Sequence, residues 1–168
     1  MTLRSIGTRH LGIVVLACGY VWIMAGASQE PTAPIRVGQA APTVLATSLT
    51  GQSFTVTFER PTVLYVQTPA CFWCIRNADN MSALFRQRGK DFVFIGLSLR
   101  KEGLREYLDT TPHPFPVYVA SEKTITEYGL GTIPSTIVVD KGNIVKKWNG
   151  AFDKSLPAVQ DFFKVKLP

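Results

Sequence analysis

The chain has 168 residues, 46% of them hydrophobic and 18% charged. That is enough apolar material for one folded core, and it excludes both a disordered chain and one embedded in a membrane throughout. Of the net charge of +6, Arg4 and Arg9 supply two units, and the other four are scattered between Arg36 and Lys166. The short clusters Arg86-Arg88-Lys90 and Arg100-Lys101-Arg105 lack interleaved aromatics, so they read as solvated faces and nucleic acid is not an expected partner.

Residues 1–27 read as an export segment. MTLRSIGTRH is a short positive region, LGIVVLACGYVWIM is an apolar run, and Ala25-Gly26-Ala27 supplies the small residues that a signal peptidase needs before Ser28. Uncleaved, residues 11–27 are about long enough to tether the chain in a bilayer. Val15-Leu16-Ala17-Cys18-Gly19 is a third possibility, a lipid anchor at Cys18. Signal peptide, anchor and lipid all place the remainder in the periplasm or another extracytoplasmic space. Residues 28–36 are a polar, proline-containing linker, and residues 37–168 form one domain.

In that domain, Val44–Leu49 and Phe54–Phe58 flank Thr50-Gly51-Gln52 as an N-terminal β-hairpin. Thr62–Val66 and Phe92–Leu97 are continuous apolar runs suited to strands covered on both faces. Between them a helix from Cys74 to about Gln87 carries the stripe Ile75, Ala78, Met81, Leu84 and Phe85, and Gly89 stops it. Strand, helix, strand makes a βαβ unit. A weak helix at Glu102–Leu108 leads into a segment whose three prolines exclude regular structure. A strand at Val117–Val119, a helix at Ser121–Tyr128 and a second hairpin of Ser135–Val139 with Ile144–Trp148 follow. A last amphipathic helix spans about Lys154–Val165. The fold class is α/β, with a mixed central β-sheet flanked by helices.

The chemistry lies in TPACFWCIR. Of three cysteines, Cys18 belongs to the export segment, so the mature domain keeps Cys71 and Cys74. A bridge closing so small a ring constrains the unfolded chain little, which argues against a structural staple. A zinc site wants four ligands, and His113 is the sole remaining histidine or cysteine of the mature chain, so no metal is expected. A redox pair is left. Cys71 falls where a strand gives way to a helix, and the unpaired N–H groups and macrodipole there stabilise a thiolate. Cys74, one turn on, is placed to attack a mixed disulfide and release the product. No cofactor is expected beyond the Cys71–Cys74 disulfide itself. His113, in the proline-rich loop with no evident partner, reads as a surface residue, and Trp148 and Trp22 as structural.

Cys-x-x-Cys after an apolar strand, followed by YGLGTIPSTIVVD, resembles the thioredoxin superfamily. VGQAAPTVLATSLTGQSFTV, residues 37–56, resembles the N-terminal hairpin of its exported TlpA/ResA-like branch. The resemblance covers residues 37 to the C-terminus. It implies a thioredoxin-like fold and a thiol-disulfide oxidoreductase acting on exported protein thiols and disulfides, with an upstream membrane thiol reductant or oxidant as second partner. It also implies that Pro134 follows a cis peptide bond facing the dithiol, with Ile133 and Thr132 beside it as substrate-binding residues. Phe72 and Trp73, where the chain departs from the family, read as a shield against water, as an apolar docking surface, or as packing against the proline-rich loop. Ile133 matches the reducing members, as in cytochrome c maturation. The chain departs from the family at Ala70, where thioredoxin has Trp, and at Tyr65, where it has a buried Asp. The Glu often found between the cysteines of the TlpA/ResA-like branch is replaced by Phe72-Trp73. The proton acceptor for Cys74 is therefore left among Tyr65, Glu127 and water.

Two other functions fit parts of the same segment. Thr68-x-x-Cys71 resembles a peroxiredoxin site with Cys71 peroxidatic and Cys74 resolving, although Leu64 stands where that family has proline. A non-enzymatic assembly factor would use the groove near Pro134 to bind exported chains.

Overall fold

The computed structural model describes residues 35–168. The expected export segment, with Cys18 and Trp22, lies outside the described residues, as does the expected linker except for Ile35 and Arg36. Strands β1 (Val44–Thr47) and β2 (Ser53–Val56) form the expected antiparallel hairpin. β3 (Thr62–Gln67), α1 (Phe72–Arg88) and β4 (Val93–Ser98) make the βαβ unit, with β3 and β4 parallel. α2 (Leu104–Thr110), β5 (Val117–Ala120) and α3 (Glu122–Tyr128) follow, then the hairpin of β6 (Ser135–Asp140) and β7 (Asn143–Asn149). A single 3-10 turn, Phe152–Lys154, precedes α4 (Leu156–Phe163).

The seven strands form one mixed sheet in the order β2-β1-β5-β4-β3-β6-β7. β3 is near its middle and buried along its whole length, as a continuous apolar run requires. Its side chains alternate between the faces of the sheet. Leu64 and Val66 join Val44, Ile95, Ile137, Val139 and Tyr128 in one core layer. Val63 and Tyr65 join Met81, Leu84, Phe94, Trp148, Phe152 and Phe163 in the other, beneath α1 and α4. Trp148 is structural as expected: it packs against Phe152, Phe162 and Phe163.

Gly96 sets the spacing of the parallel strands. A Cβ there would meet Val117 Cγ2 at 2.7 Å, so only glycine lets β5 lie this close to β4.

Two expectations change. Ile75 is 49% exposed, and the buried stripe of α1 runs instead through Cys74, Ala78, Met81 and Leu84. One residue's step is 100° around a helix, so Cys74 takes the inward position and turns Ile75 out. The last helix starts at Leu156, not Lys154, because Pro157 has no N–H to donate and is tolerated only in the first turn.

Candidate active site

β3 aims the chain at the site. It ends at Gln67, and the short connection Thr68-Pro69-Ala70 delivers Cys71 to the start of α1. Ala70 has φ 59°, in the left-handed region that costs a Cβ-bearing residue roughly 1–2 kcal/mol. The turn that presents Cys71 is therefore held against a local preference. Gly103, at φ 72°, is the N-cap of α2, in the left-handed region that glycine adopts without strain.

Cys71 is the N-cap of α1, and its Sγ accepts the Cys74 N–H at 3.1 Å. Its carbonyl accepts from Cys74 and Ile75. The first turn has no acidic side chain to oppose a negative charge on sulfur. The two cysteines are joined as a disulfide with Cα atoms 5.2 Å apart. Cys71 is half-buried and Cys74 wholly buried. The sulfur that solvent and a substrate can reach is thus the one at the helix N-terminus.

The Ile133–Pro134 peptide is cis. Ser135 pairs with Val66, so Pro134 lies against the end of β3 from which the dithiol loop departs. Its carbonyl accepts the Gly150 N–H, and the Thr132 carbonyl accepts the Ser135 hydroxyl. The N–H and C=O of Ile133 have no partner among the described residues. Ile133 and Trp73 share a groove of about 430 Å³ with Gly150, Ala151, Asp153 and Lys154.

Phe72 and Trp73 do not pack against the proline-rich loop. They are 61% and 51% exposed and meet edge to face. The Arg76 guanidinium lies 5.9 Å and 5.7 Å from the two ring centroids and 3.7 Å from the Asp153 carboxylate. Arg76 is more than half exposed, so these contacts steady an aromatic shelf more than they stabilise the fold.

Behind the dithiol the side chains are polar. The Tyr65 hydroxyl donates to the Cys74 carbonyl at 3.4 Å. Asn77 Oδ1 accepts the Phe152 N–H, which ties α1 to the turn after β7. Burial raises the Tyr65 pKa far above its ordinary value, so this hydroxyl stays protonated. Glu127 pairs with Lys123 along α3, and no contact among the described residues joins it to either cysteine. Neither residue offers Cys74 a carboxylate.

His113 is not a surface residue. Its ring stacks on Phe115 at 5.1 Å, meets the edge of Tyr65 at 5.8 Å, and Nε2 lies 2.9 Å from Gln67 Oε1. Prolines on both sides stiffen the loop and drive the imidazole inward, where an apolar wall and a buried amide receive it. Burial lowers its pKa to about 4. Gln67, Asn77 and Asp153 were not singled out by sequence reasoning. The two-residue period of β3 was the available signal, because it puts Gln67 on the Tyr65 face that looks toward α1.

A half-buried sulfur at a helix start, bonded to a wholly buried one and set beside a cis-proline on a mixed sheet, defines a thioredoxin-fold dithiol oxidoreductase. No protein-family model matches the chain. It is 25% identical over 145 residues to thiol-disulfide oxidoreductase ResA of Geobacillus thermodenitrificans (strain NG80-2), covering 80% of each chain. Among solved structures, the thioredoxin domain of a thiol-disulfide oxidoreductase from Bacteroides vulgatus matches with TM-score 0.64 and 19% identity, over 77% of this chain and 99% of that one. A thiol:disulfide interchange protein designated DsbE from Chlorobium tepidum matches with TM-score 0.66 and 18% identity, over 76% and 94%. The structural likenesses establish the shared fold. With the dithiol and the similarity to ResA, the chain is a thiol-disulfide oxidoreductase on a thioredoxin-like fold.

Proposed function

We propose that the protein reduces disulfides of exported proteins outside the cytoplasmic membrane, delivered there by residues 1–27, which are either removed or kept as a tether through residues 11–27. The observation that carries the reading is the unequal pair: Cys71 reachable at the α1 N-terminus, Cys74 sealed beneath it. In the dithiol form, the Cys71 thiolate attacks a substrate disulfide and forms a mixed disulfide. Cys74 then attacks Cys71, releases the reduced substrate and closes the Cys71–Cys74 bond. An upstream membrane thiol reductant reopens that bond.

The substrate segment runs as an extended chain past Ile133, whose free N–H and C=O pair with it as a strand edge would. Pro134 and Thr132 hold that edge in place, and Phe72 and Trp73 supply apolar contact beside the reacting sulfur. Ile133 before Pro134, together with the similarity to ResA, supports the reductive direction and a role such as keeping apocytochrome c thiols reduced. Equilibration with dithiothreitol or glutathione buffers tests this. The expected potential lies nearer about −270 mV, the thioredoxin value, than about −120 mV, that of the strongly oxidising periplasmic enzyme. A value at the oxidising end overturns the direction and leaves the dithiol chemistry standing.

A further inference from the structure

One imidazole sits among buried polar groups behind the dithiol. Gln67 Oε1 accepts the Tyr107 hydroxyl at 3.1 Å and lies 2.9 Å from His113 Nε2. With the amide assigned this way its oxygen only accepts, so the imidazole carries its proton on Nε2 and leaves Nδ1 a bare lone pair. Nδ1 is buried without a partner among the described residues, and so are Gln67 Nε2, Asn77 Nδ2 and Thr68 Oγ1. Buried polar atoms left unpaired are costly, so His113 Nδ1 and the Gln67 amide nitrogen beside it call for ordered water. The Tyr65 ring touches both His113 and Cys74: it meets the imidazole at 5.8 Å and its hydroxyl reaches the Cys74 carbonyl. Asn77 lies one turn beyond Cys74 on the same buried side of α1.

We propose that His113 is the proton-handling residue for the resolving step, taking the Cys74 proton on Nδ1 through water held by these unpaired groups. The Cys74 S–H bond breaks and its proton passes to the imidazole. The sulfur's electron pair forms the bond to Cys71, and the bond between Cys71 and the substrate sulfur breaks. The substrate leaves as a thiolate, which takes the proton back from the imidazolium or from solvent. The dithiol loses two electrons and the substrate disulfide gains them.

The titratable groups facing His113 are Tyr65 from β3 and Tyr107 from α2. Its own loop contributes Phe115, and no carboxylate, lysine or arginine contacts the ring among the described residues. The site is therefore a neutral, vacant base while the cysteines are bonded. In the dithiol form the Cys71 thiolate, and in the resolving step the sulfur of Cys74, supply the negative charge that raises its affinity for a proton. The proposal rests on the dithiol chemistry and not on its direction, since the reverse reaction returns the same proton.

Reduced protein mixed with 5,5′-dithiobis(2-nitrobenzoate) separates the two steps: Cys71 attack depends on reagent concentration, and Cys74 resolution does not. His113→Gln keeps a hydrogen-bond donor for Gln67 but cannot take up a proton near neutral pH. It is expected to slow the resolving phase about tenfold or more at pH 7 and the first phase far less. A resolving phase as fast as wild type, or equal slowing of both phases, overturns the proposal. Loss of the first phase in wild-type protein would instead overturn the dithiol function. If the variant does not fold, the imidazole titration of wild-type protein by nuclear magnetic resonance decides. The His113 pKa is expected to be higher in the dithiol than in the disulfide form, and equal values in both contradict it.

Discussion

Trp73 and Phe72 face solvent at the first turn of α1, the same helix that buries Cys74, Ala78, Met81 and Leu84. Large aromatics left in water beside a reacting sulfur do little for the fold and are well placed to anchor a partner. Replacing Trp73 by Ala is expected to raise KM for a protein disulfide about tenfold, a loss of roughly 1.4 kcal/mol of binding. The rate with a small aromatic disulfide should hold within about twofold, and unfolding free energy should move by less than about 0.5 kcal/mol. Paired kinetics on the two substrates check this. His113 gives a pH prediction of its own. Its folded pKa of about 4 lies below the ordinary 6.5, so below pH 6.5 the unfolded chain takes up a proton that the folded chain refuses. Stability therefore falls as pH drops from 6.5 towards 4, by no more than about 3 kcal/mol, less whatever solvent screening at the half-buried ring removes. Denaturant titrations at pH 7 and pH 4.5 should show this fall, and it should shrink in His113→Gln.

At the scale of elements, β3 and α1 act as one lever: the strand is locked in mid-sheet and the helix is pinned to it by Met81 and Leu84, both wholly buried. Met81→Ala is expected to cost about 2–5 kcal/mol in chemical denaturation. The dithiol should still form in the variant that remains folded, because the N-cap geometry of Cys71 depends on the first turn and not on Met81. The strands of the βαβ unit and both hairpins were legible in the sequence because apolar runs and turn residues carry them locally. The face of α1 was read correctly at Ala78, Met81 and Leu84 and missed at its first turn, since Ile75 looks more hydrophobic than Cys74 although the cysteine is the residue that points inward. The start of α4 was misjudged for a similar reason: the apolar stripe of Leu156, Val159 and Phe163 outweighed the signal of Pro157.

For the molecule as a whole, the part of the site that is contiguous in sequence was readable and the part assembled by tertiary contact was not. Cys71 and Cys74 announce themselves by spacing. Pro134 became meaningful only beside them, because 60 or so intervening residues had to fold before β6 met β3. His113, Gln67 and Asn77 come from a loop, a strand end and a helix, and no local pattern in any of them points to the others. The central claim is that Cys71 attacks and Cys74 resolves. Mass spectrometry of the Cys74→Ser and Cys71→Ser variants, each reduced and then exposed to a disulfide-bonded protein, tests it most directly. Cys74→Ser should accumulate a stable mixed disulfide through Cys71, and Cys71→Ser should accumulate none. An adduct on Cys74, or no adduct on either variant, would contradict the account.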